Sequence, residues 1–248
     1  MAKIPEMPEE IFHEFTRDYR DVFGDDLKSI ILYGSGARGE YIPKKSDLNF
    51  IIVLNDSAMD RLREAFPLIH RWRKRRVNTP LFLTEEYITS SLDSFPVEFL
   101  NFRDSHILVF GKDVLGELPF DKKSIRLQCE RELKGKLLLL REAYLDSEGK
   151  TGDLVQAAAA SLTAFLSLFR ALLFLRDREI PPHNDELITT TAREMGFDEN
   201  PFMDVLRMKE GKIKARRDEM VGIVERYLRE IRGLWKSVDH LEIKEGSL

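Results

Sequence analysis

The turn that follows the first apolar run of the sequence carries residues suited to binding a phosphate. Residues 27–34 read LKSIILYG, and Ser35 comes directly after Gly34. A strand that ends in Gly-Ser and turns into a helix leaves backbone N–H groups facing outward, and the serine adds a hydroxyl donor. Gly34 and Ser35 are therefore candidate phosphate-binding residues; the alternative is a plain strand-to-helix turn.

A second apolar run begins with two residues suited to holding a metal ion. Asp47 and Asn49 lie in the stretch SDLNFIIVL, residues 46–54. Alternate residues of a strand share one face, so both side chains should project towards the Gly34-Ser35 turn. Two oxygen ligands at this spacing can hold Mg²⁺, which bridges phosphate oxygens. Asn49 keeps a carbonyl oxygen but lacks the negative charge of a carboxylate, so we expect reduced Mg²⁺ affinity.

The elements that must position these residues follow from hydrophobic spacing. Residues 8–23 predict a first helix, and the two apolar runs predict neighbouring buried strands. Residues 56–76 predict a helix that Pro67 kinks or interrupts. The sequence further predicts a short helix at 85–94 and three strands, PLFLT at 80–84, PVEFLNF at 96–102 and HILVFG at 106–111.

The second half of the chain has a different pattern. After Pro119, helical periodicity recurs in four stretches, residues 124–145, 154–176, 184–195 and 221–241. Runs of this kind, separated by Gly and Pro clusters, are typical of a helical bundle. We therefore predict an α+β chain, with a mixed-sheet domain at residues 1–117 followed by an α-helical bundle at 118–248.

The motifs together resemble a known superfamily. An apolar strand, Gly-Ser, about a dozen residues and then Asp-x-Asp between apolar residues is similar to the motif of the nucleotidyltransferase superfamily of the DNA polymerase β type. The resemblance is specific over residues 30–54, about a tenth of the chain. The stretch Ala37-Arg38-Gly39 also resembles small bacterial members. In layout, the helical half resembles that of the aminoglycoside nucleotidyltransferases.

The resemblance implies a nucleotide substrate and a reaction. Gly34 and Ser35 would hold the β- and γ-phosphates of a nucleoside triphosphate, and Arg38 would add a charge-assisted contact. The implied reaction is transfer of a nucleoside monophosphate to an acceptor hydroxyl, with pyrophosphate as the leaving group. The acceptor would be a small molecule such as an aminoglycoside, or a protein.

The resemblance also implies a metal site with catalytic carboxylates. Asp47, Asn49 and Glu98 would be the Mg²⁺ ligands, and Asp47 and Glu98 the catalytic residues. Glu98, in the predicted strand at 96–102, would lie beside the acceptor hydroxyl as a metal ligand or general base. The alternative is that Glu98 simply faces solvent on the open side of the sheet.

Asn49 leaves two functional hypotheses open. In the first, the protein is a working nucleotidyltransferase that tolerates the amide and uses Asp47 and Glu98. In the second, it is a degenerate member, a pseudoenzyme that binds a nucleotide or a protein partner without turnover. The first is slightly favoured because the phosphate turn and Asp47 are intact.

Composition limits the partners and the compartment. The net charge of −4 gives no reason to expect a nucleic-acid partner, and the single cysteine, Cys129, is typical of a reducing compartment. No uncharged apolar run of about 18 residues and no apolar stretch typical of a signal peptide is evident, so we expect a cytoplasmic protein that does not enter a membrane.

Two further stretches each have two interpretations. The basic run HRWRKRR, residues 70–76, predicts a solvated helix end, with an RNA-binding patch around Trp72 as the alternative. The stretch KGKLLLLREAYL, residues 134–145, predicts bundle core, with a homodimer face as the alternative.

Overall fold

The structure, a computed structural model, describes residues 3–243, and these form two compact units. The first unit contains the chain up to Leu92 together with Phe99–Pro119, and it includes the sheet. The second contains Asp93–Glu98 and the chain from Phe120 onward, and it is helical. The limits of 1–117 and 118–248 for independently folding domains stay a prediction.

The first unit is built on a four-stranded mixed sheet. Its strands are β1 Leu27–Tyr33, β2 Asn49–Leu54, β3 Leu81–Leu83 and β4 His106–Gly111. Their order is β3-β2-β1-β4, with β1 antiparallel to both neighbours and β2 parallel to β3. The central strands β1 and β2 are buried along almost their whole length, which explains why their sequences are continuous apolar runs.

Helices surround this sheet. They are α1 Phe12–Phe23, α2 Asp56–Met59, α3 Phe66–Arg73, α4 Glu85–Ser90 and α5 Pro96–Asp104, with 3₁₀ turns at Pro8–Ile11, Gly24–Asp26, Gly34–Gly36 and Leu62–Ala65. The predicted interruption near Pro67 is confirmed, because a 3₁₀ turn separates α2 from α3 and the proline lies in the first turn of α3. The aromatic rings of Phe15 and Phe50 stack at 4.2 Å and join α1 to β2.

The strand predicted at residues 96–102 is wrong, because these residues form α5. Pro96 opens the helix, a position that does not need its missing N–H. The N–H of Val97 donates to Gln128 Oε1 at 2.8 Å, and Val97, Phe99 and Leu100 are buried. A short buried helix and a buried strand both produce a brief apolar run, and periodicity alone does not separate them.

The second unit is a set of five helices in the described residues. They are α6 Lys122–Asp146, α7 Thr151–Leu175, α8 Asn184–Met195, α9 Asn200–Lys209 and α10 Arg217–Asp239. Four match the predicted stretches, whereas α9 was not predicted. This helix is only ten residues long and has Pro201 in its first turn, so its apolar periodicity is brief. Its buried Phe202 contacts Phe169 of α7 and Tyr227 of α10.

The apolar helix α7 forms the core of this unit. By length and composition alone it could cross a membrane, so the expectation that no apolar run reaches the length of a membrane span is wrong for this helix. Of its most apolar 18-residue window, 61% is buried inside the protein. Burial within the bundle accounts for this composition, and the absence of membrane association stays a prediction.

Gly111, at the end of β4, lies so close to the backbone of β1 that a larger residue there should destabilise the sheet. Its φ is +82°, and an added Cβ would lie 1.8 Å from the carbonyl oxygen of Lys28. We expect Gly111→Ala to lower the free energy of unfolding by about 3 kcal/mol, because the backbone of β1 must move. Denaturant unfolding measures this change. Gly39→Ala is the matched control, since Gly39 has a φ of +74° but no atom within 4 Å; equal losses in the two variants would contradict the prediction.

Candidate functional site

The predicted site residues meet where β1 ends and β2 begins. The two strands are antiparallel, and Tyr33, the last residue of β1, pairs with Asn49, the first residue of β2. Gly34 therefore lies beside Asn49, and a Cβ on Gly34 would stand 3.4 Å from Asn49 Nδ2. The φ of Gly34 is +75°, a conformation that favours glycine. The structure thus brings the glycine turn and the amide together.

The turn after β1 is closed by its own backbone. The carbonyl oxygen of Gly34 accepts hydrogen bonds from the N–H groups of Ala37 and Arg38 at 3.0 and 3.1 Å. The carbonyl oxygen of Ser35 accepts from Glu40 N–H at 3.0 Å. Arg38, the predicted phosphate ligand, donates from Nε to the Glu40 carboxylate at 3.0 Å. Arg38 is therefore within the turn, with its charge already partnered by an acid.

A single bridge between chain segments places two polar pairs beside this turn. Leu48 and Val77 form an isolated parallel bridge, in which Leu48 N–H donates to Arg76 O and Asn78 N–H donates to Leu48 O, both at 2.9 Å. This bridge aligns residues 76–78 with residues 47–49. Two of the three predicted metal ligands, Asp47 and Asn49, consequently acquire a side-chain partner from the opposite segment.

The first pair is an ion pair between Asp47 and Arg76. Arg76 Nη2 lies 2.9 Å from Asp47 Oδ1, and both side chains are partly exposed, at 34% and 42%. Arg76 also donates to the carbonyl oxygens of Lys45 and Ser46, at 2.9 and 3.3 Å. Its φ is +60°, which is uncommon for a residue other than glycine. The guanidinium is thus held against the carboxylate oxygen that the motif would offer to a metal.

The second pair joins two amides. Asn78 Nδ2 donates to Asn49 Oδ1 at 2.8 Å, and Asn49 Nδ2 lies 3.5 Å from the carbonyl oxygen of Asp47. The amide nitrogen faces an acceptor, which a carboxylate oxygen in its place would repel. Asn49 therefore suits its surroundings, and its carbonyl oxygen is already used as an acceptor.

Glu98, the third predicted ligand, lies on α5 and belongs to the helical unit. Its carboxylate accepts a hydrogen bond from Gln128 Nε2 at 2.6 Å, while Gln128 Oε1 binds the backbone of the same helix at Val97. The Glu98 carboxylate therefore helps hold residues 97 and 98, which belong to the same unit, to α6. Its predicted catalytic role stays a prediction.

The residues at this site do not fit a resident Mg²⁺ ion. Asp47 is the single carboxylate of the motif, and its Oδ1 is paired with the Arg76 guanidinium at 2.9 Å. Within residues 3–243, no group of three or more His, Cys, Asp or Glu side chains could hold a metal ion. Protein-bound Mg²⁺ is usually held by one or two carboxylates together with substrate phosphates, and here a single carboxylate, already paired with Arg76, would have to hold it without a nucleotide.

The basic run at residues 70–76 is largely paired. Arg71 donates to Asp18 at 2.7 Å and also binds Glu14, which in turn binds Arg75. Arg71, Arg73 and Lys74 are exposed, as expected of a solvated helix end, whereas the Arg75 side chain is only 15% exposed. The Arg75 guanidinium, helped by Arg71, holds the pKa of Glu14 below its usual value. Trp72 is buried, so it cannot provide the stacking surface of an RNA-binding patch.

Arg76 and Asn78 are the site residues that motif reasoning missed, and Arg76 carries the charge. Arg76 follows Asp47 by 29 residues and ends a basic run with no recognisable pattern. The run itself was the available signal, but sequence spacing does not tell which of its cations reaches Asp47.

Comparison with known proteins supports the architecture. No protein-family profile and no curated protein sequence matches the chain. Among solved structures, it is similar to the crystal structure of spectinomycin adenyltransferase AAD(9) from Enterococcus faecialis with ATP and spectinomycin. The TM-score is 0.53 at 13% identity, and the match covers 89% of this chain and 99% of that chain. The chain therefore has the α+β nucleotidyltransferase fold predicted from its sequence, a mixed sheet followed by helices.

Proposed function

We propose that this protein is a non-catalytic member of the nucleotidyltransferase fold that binds a nucleoside triphosphate without a magnesium ion. The observation that carries the proposal is the ion pair between Asp47 and Arg76. In this arrangement the guanidinium occupies the position beside Asp47 that the resemblance assigns to a metal. The phosphates would contact Arg76 and the turn at Gly34 and Ser35.

The charges of the site support this replacement. Two carboxylates with one Mg²⁺ have a net charge of zero, and Asp47 with the Arg76 guanidinium also sums to zero. A second carboxylate at position 49 would leave the metal-free site with a net negative charge, which opposes a triphosphate. The neutral amide of Asn49 therefore suits a site in which the singly charged Arg76 guanidinium takes the place of doubly charged Mg²⁺.

The charges of the residues around the site favour an anionic ligand. Cationic side chains at Arg38, Lys44, Lys45 and Arg76 outnumber the carboxylates of Glu40 and Asp47 in this stretch. Arg76 uses Nε and Nη2 in its contacts with Asp47 and the two carbonyl oxygens, and Nη1 takes part in none of these. A guanidinium that is about one-third exposed can offer Nη1 to a phosphate oxygen in a charge-assisted hydrogen bond.

The enzymatic alternative rests on the retained Asp47, whose side chain is 42% exposed. A metal that arrives with its nucleotide would then displace Arg76. The acceptor would be a small molecule or a protein hydroxyl, as the sequence analysis inferred. Under either hypothesis we propose the cytoplasm as the compartment, with the buried free thiol of Cys129 in keeping with reducing conditions.

Calorimetric titration with a non-hydrolysable ATP analogue, and then a GTP analogue, separates these hypotheses. We expect a dissociation constant in EDTA that is equal to or lower than that in excess Mg²⁺, since the metal-free ligand carries more negative charge. A parallel assay would follow transfer of label from α-labelled ATP or GTP to protein or to an aminoglycoside. Binding at least about tenfold tighter with Mg²⁺ would favour the enzyme, and absence of binding in both buffers would overturn the nucleotide site.

A further inference from the structure

The exposed face of α6 carries a leucine stripe, which we define as Leu127, Leu138, Leu139 and Leu145. These side chains are 61%, 59%, 65% and 71% exposed. The opposite face of α6 is buried, so the stripe is not needed for the core of its own unit. Leu127, Leu138 and Leu145 lie along one side of the helix, and Leu139 is turned about 100° from Leu138 at the edge of that side. Exposed leucines arranged in this way form the kind of apolar surface that marks an interaction site.

The stripe is interleaved with charges at helical spacing. Leu127, Arg131, Leu138, Glu142 and Leu145 follow one another at intervals of four, seven, four and three residues, which places them on one face. Arg131 lies in the N-terminal part of this face, and its side chain is 63% exposed. Glu142 lies in the C-terminal part. The face therefore has a cation near its N-terminal end and an anion near its C-terminal end. Lys134 and Arg141 lie at its margin, and Arg131 is also 3.8 Å from Glu132.

We propose that this face binds the same face of a second copy of the chain, with the two α6 helices antiparallel. A two-fold axis between positions 136 and 137 would bring each position n beside position 273 − n of the other helix. Arg131 then meets the partner's Glu142, and Leu127 reaches the partner's Leu145 within one position. Every contact occurs twice, as a two-fold interface requires.

Gly135 supports this pairing. It is exposed in the middle of a 25-residue helix, where glycine is less favourable than alanine, and a Cβ there would meet no atom within 4 Å. Nothing inside the chain therefore requires a glycine. In the antiparallel pair, Leu138 lies over the partner's Gly135, where the missing side chain leaves room for close approach. One register thus places Leu127 near the partner's Leu145, Leu138 over the partner's Gly135 and Arg131 beside the partner's Glu142.

Sedimentation velocity of the full-length protein between about 1 and 100 µM tests the proposal, because a single-helix interface is small. We expect a concentration-dependent dimer. Arg131→Glu and Glu142→Arg should each weaken association about tenfold or more, since each places like charges opposite one another twice. The double variant should regain association, and an equimolar mixture of the two single variants should form a heterodimer.

The charge exchange separates pairing from misfolding, because the double variant regains association only if the two positions face each other across the interface. Arg229→Glu, at an exposed position on α10, makes the same charge change and should leave association unaltered. A wild-type protein that stays monomeric, or a double variant that remains as weak as the singles, would overturn the proposal. The nucleotide titration does not depend on this outcome, since the proposed nucleotide site lies in the other unit.

Discussion

Trp72→Ala should lower the free energy of unfolding by about 3–5 kcal/mol, the largest loss of stability that we predict. The indole is 1% exposed and belongs to the same hydrophobic core as the buried residues of α1, β1 and β2. Phe15 meets it edge to face at 5.0 Å, and the Arg75 guanidinium covers its ring at 4.8 Å. Its Nε1–H donates to Asp18 at 3.1 Å, and Asp18 is itself nearly buried. Alanine would remove the ring contacts and one donor to a buried carboxylate.

Two variants separate these contributions. Trp72→Phe keeps most of the ring packing but leaves Asp18 with one donor fewer, so we expect a smaller loss of about 1–3 kcal/mol. Lys74→Ala, two residues further along and exposed, should change stability by less than about 0.5 kcal/mol. Denaturant unfolding, followed by circular dichroism, measures all three. Equal stability of the wild type and Trp72→Ala would show that the indole is not a core residue.

The sequence predicted those parts of the fold that local pattern determines. The strands β1 and β2 are continuous apolar runs because both of their faces are covered, and Gly34 is required by its positive φ. Helix α5 was not predicted because an apolar run of seven residues suits a buried strand equally well. Its first turn makes a long-range contact that no local pattern reveals, since Val97 N–H donates to Gln128, 31 positions later.

At the candidate site, the sequence predicted the residues of one chain segment but not their partners in the other. Gly34, Asp47 and Asn49 belong to a single motif, whose spacing is visible in the sequence. Their partners Arg76 and Asn78 are placed by the bridge between Leu48 and Val77, which involves one residue pair and has no strand pattern of its own. Long-range pairing of this kind depends on tertiary packing rather than on local propensity. It changes the chemistry of the site, because a cation now faces Asp47.

Arg76→Gln should weaken binding of the triphosphate analogue in EDTA by about ten- to a hundredfold, because a charge-assisted hydrogen bond contributes about 1.5–3 kcal/mol. Glutamine keeps a side chain at the strained backbone position, so the loss reports on charge more than on backbone geometry. Arg73→Gln is the matched control, because it makes the same change at an exposed position three residues earlier. Calorimetry in EDTA gives both dissociation constants.

Asn49→Asp should make binding of the triphosphate analogue more dependent on Mg²⁺. The added carboxylate would make the metal-free site more negative and weaken binding in EDTA, while it supplies a second oxygen ligand with negative charge for Mg²⁺. In the double variant Arg76→Gln, Asn49→Asp, no guanidinium competes for Asp47, so we expect binding that requires Mg²⁺. If Arg76→Gln binds as tightly as the wild type in EDTA, the guanidinium does not replace a metal. If the double variant gains no dependence on Mg²⁺, positions 47 and 49 do not form the metal-binding pair that the motif implies.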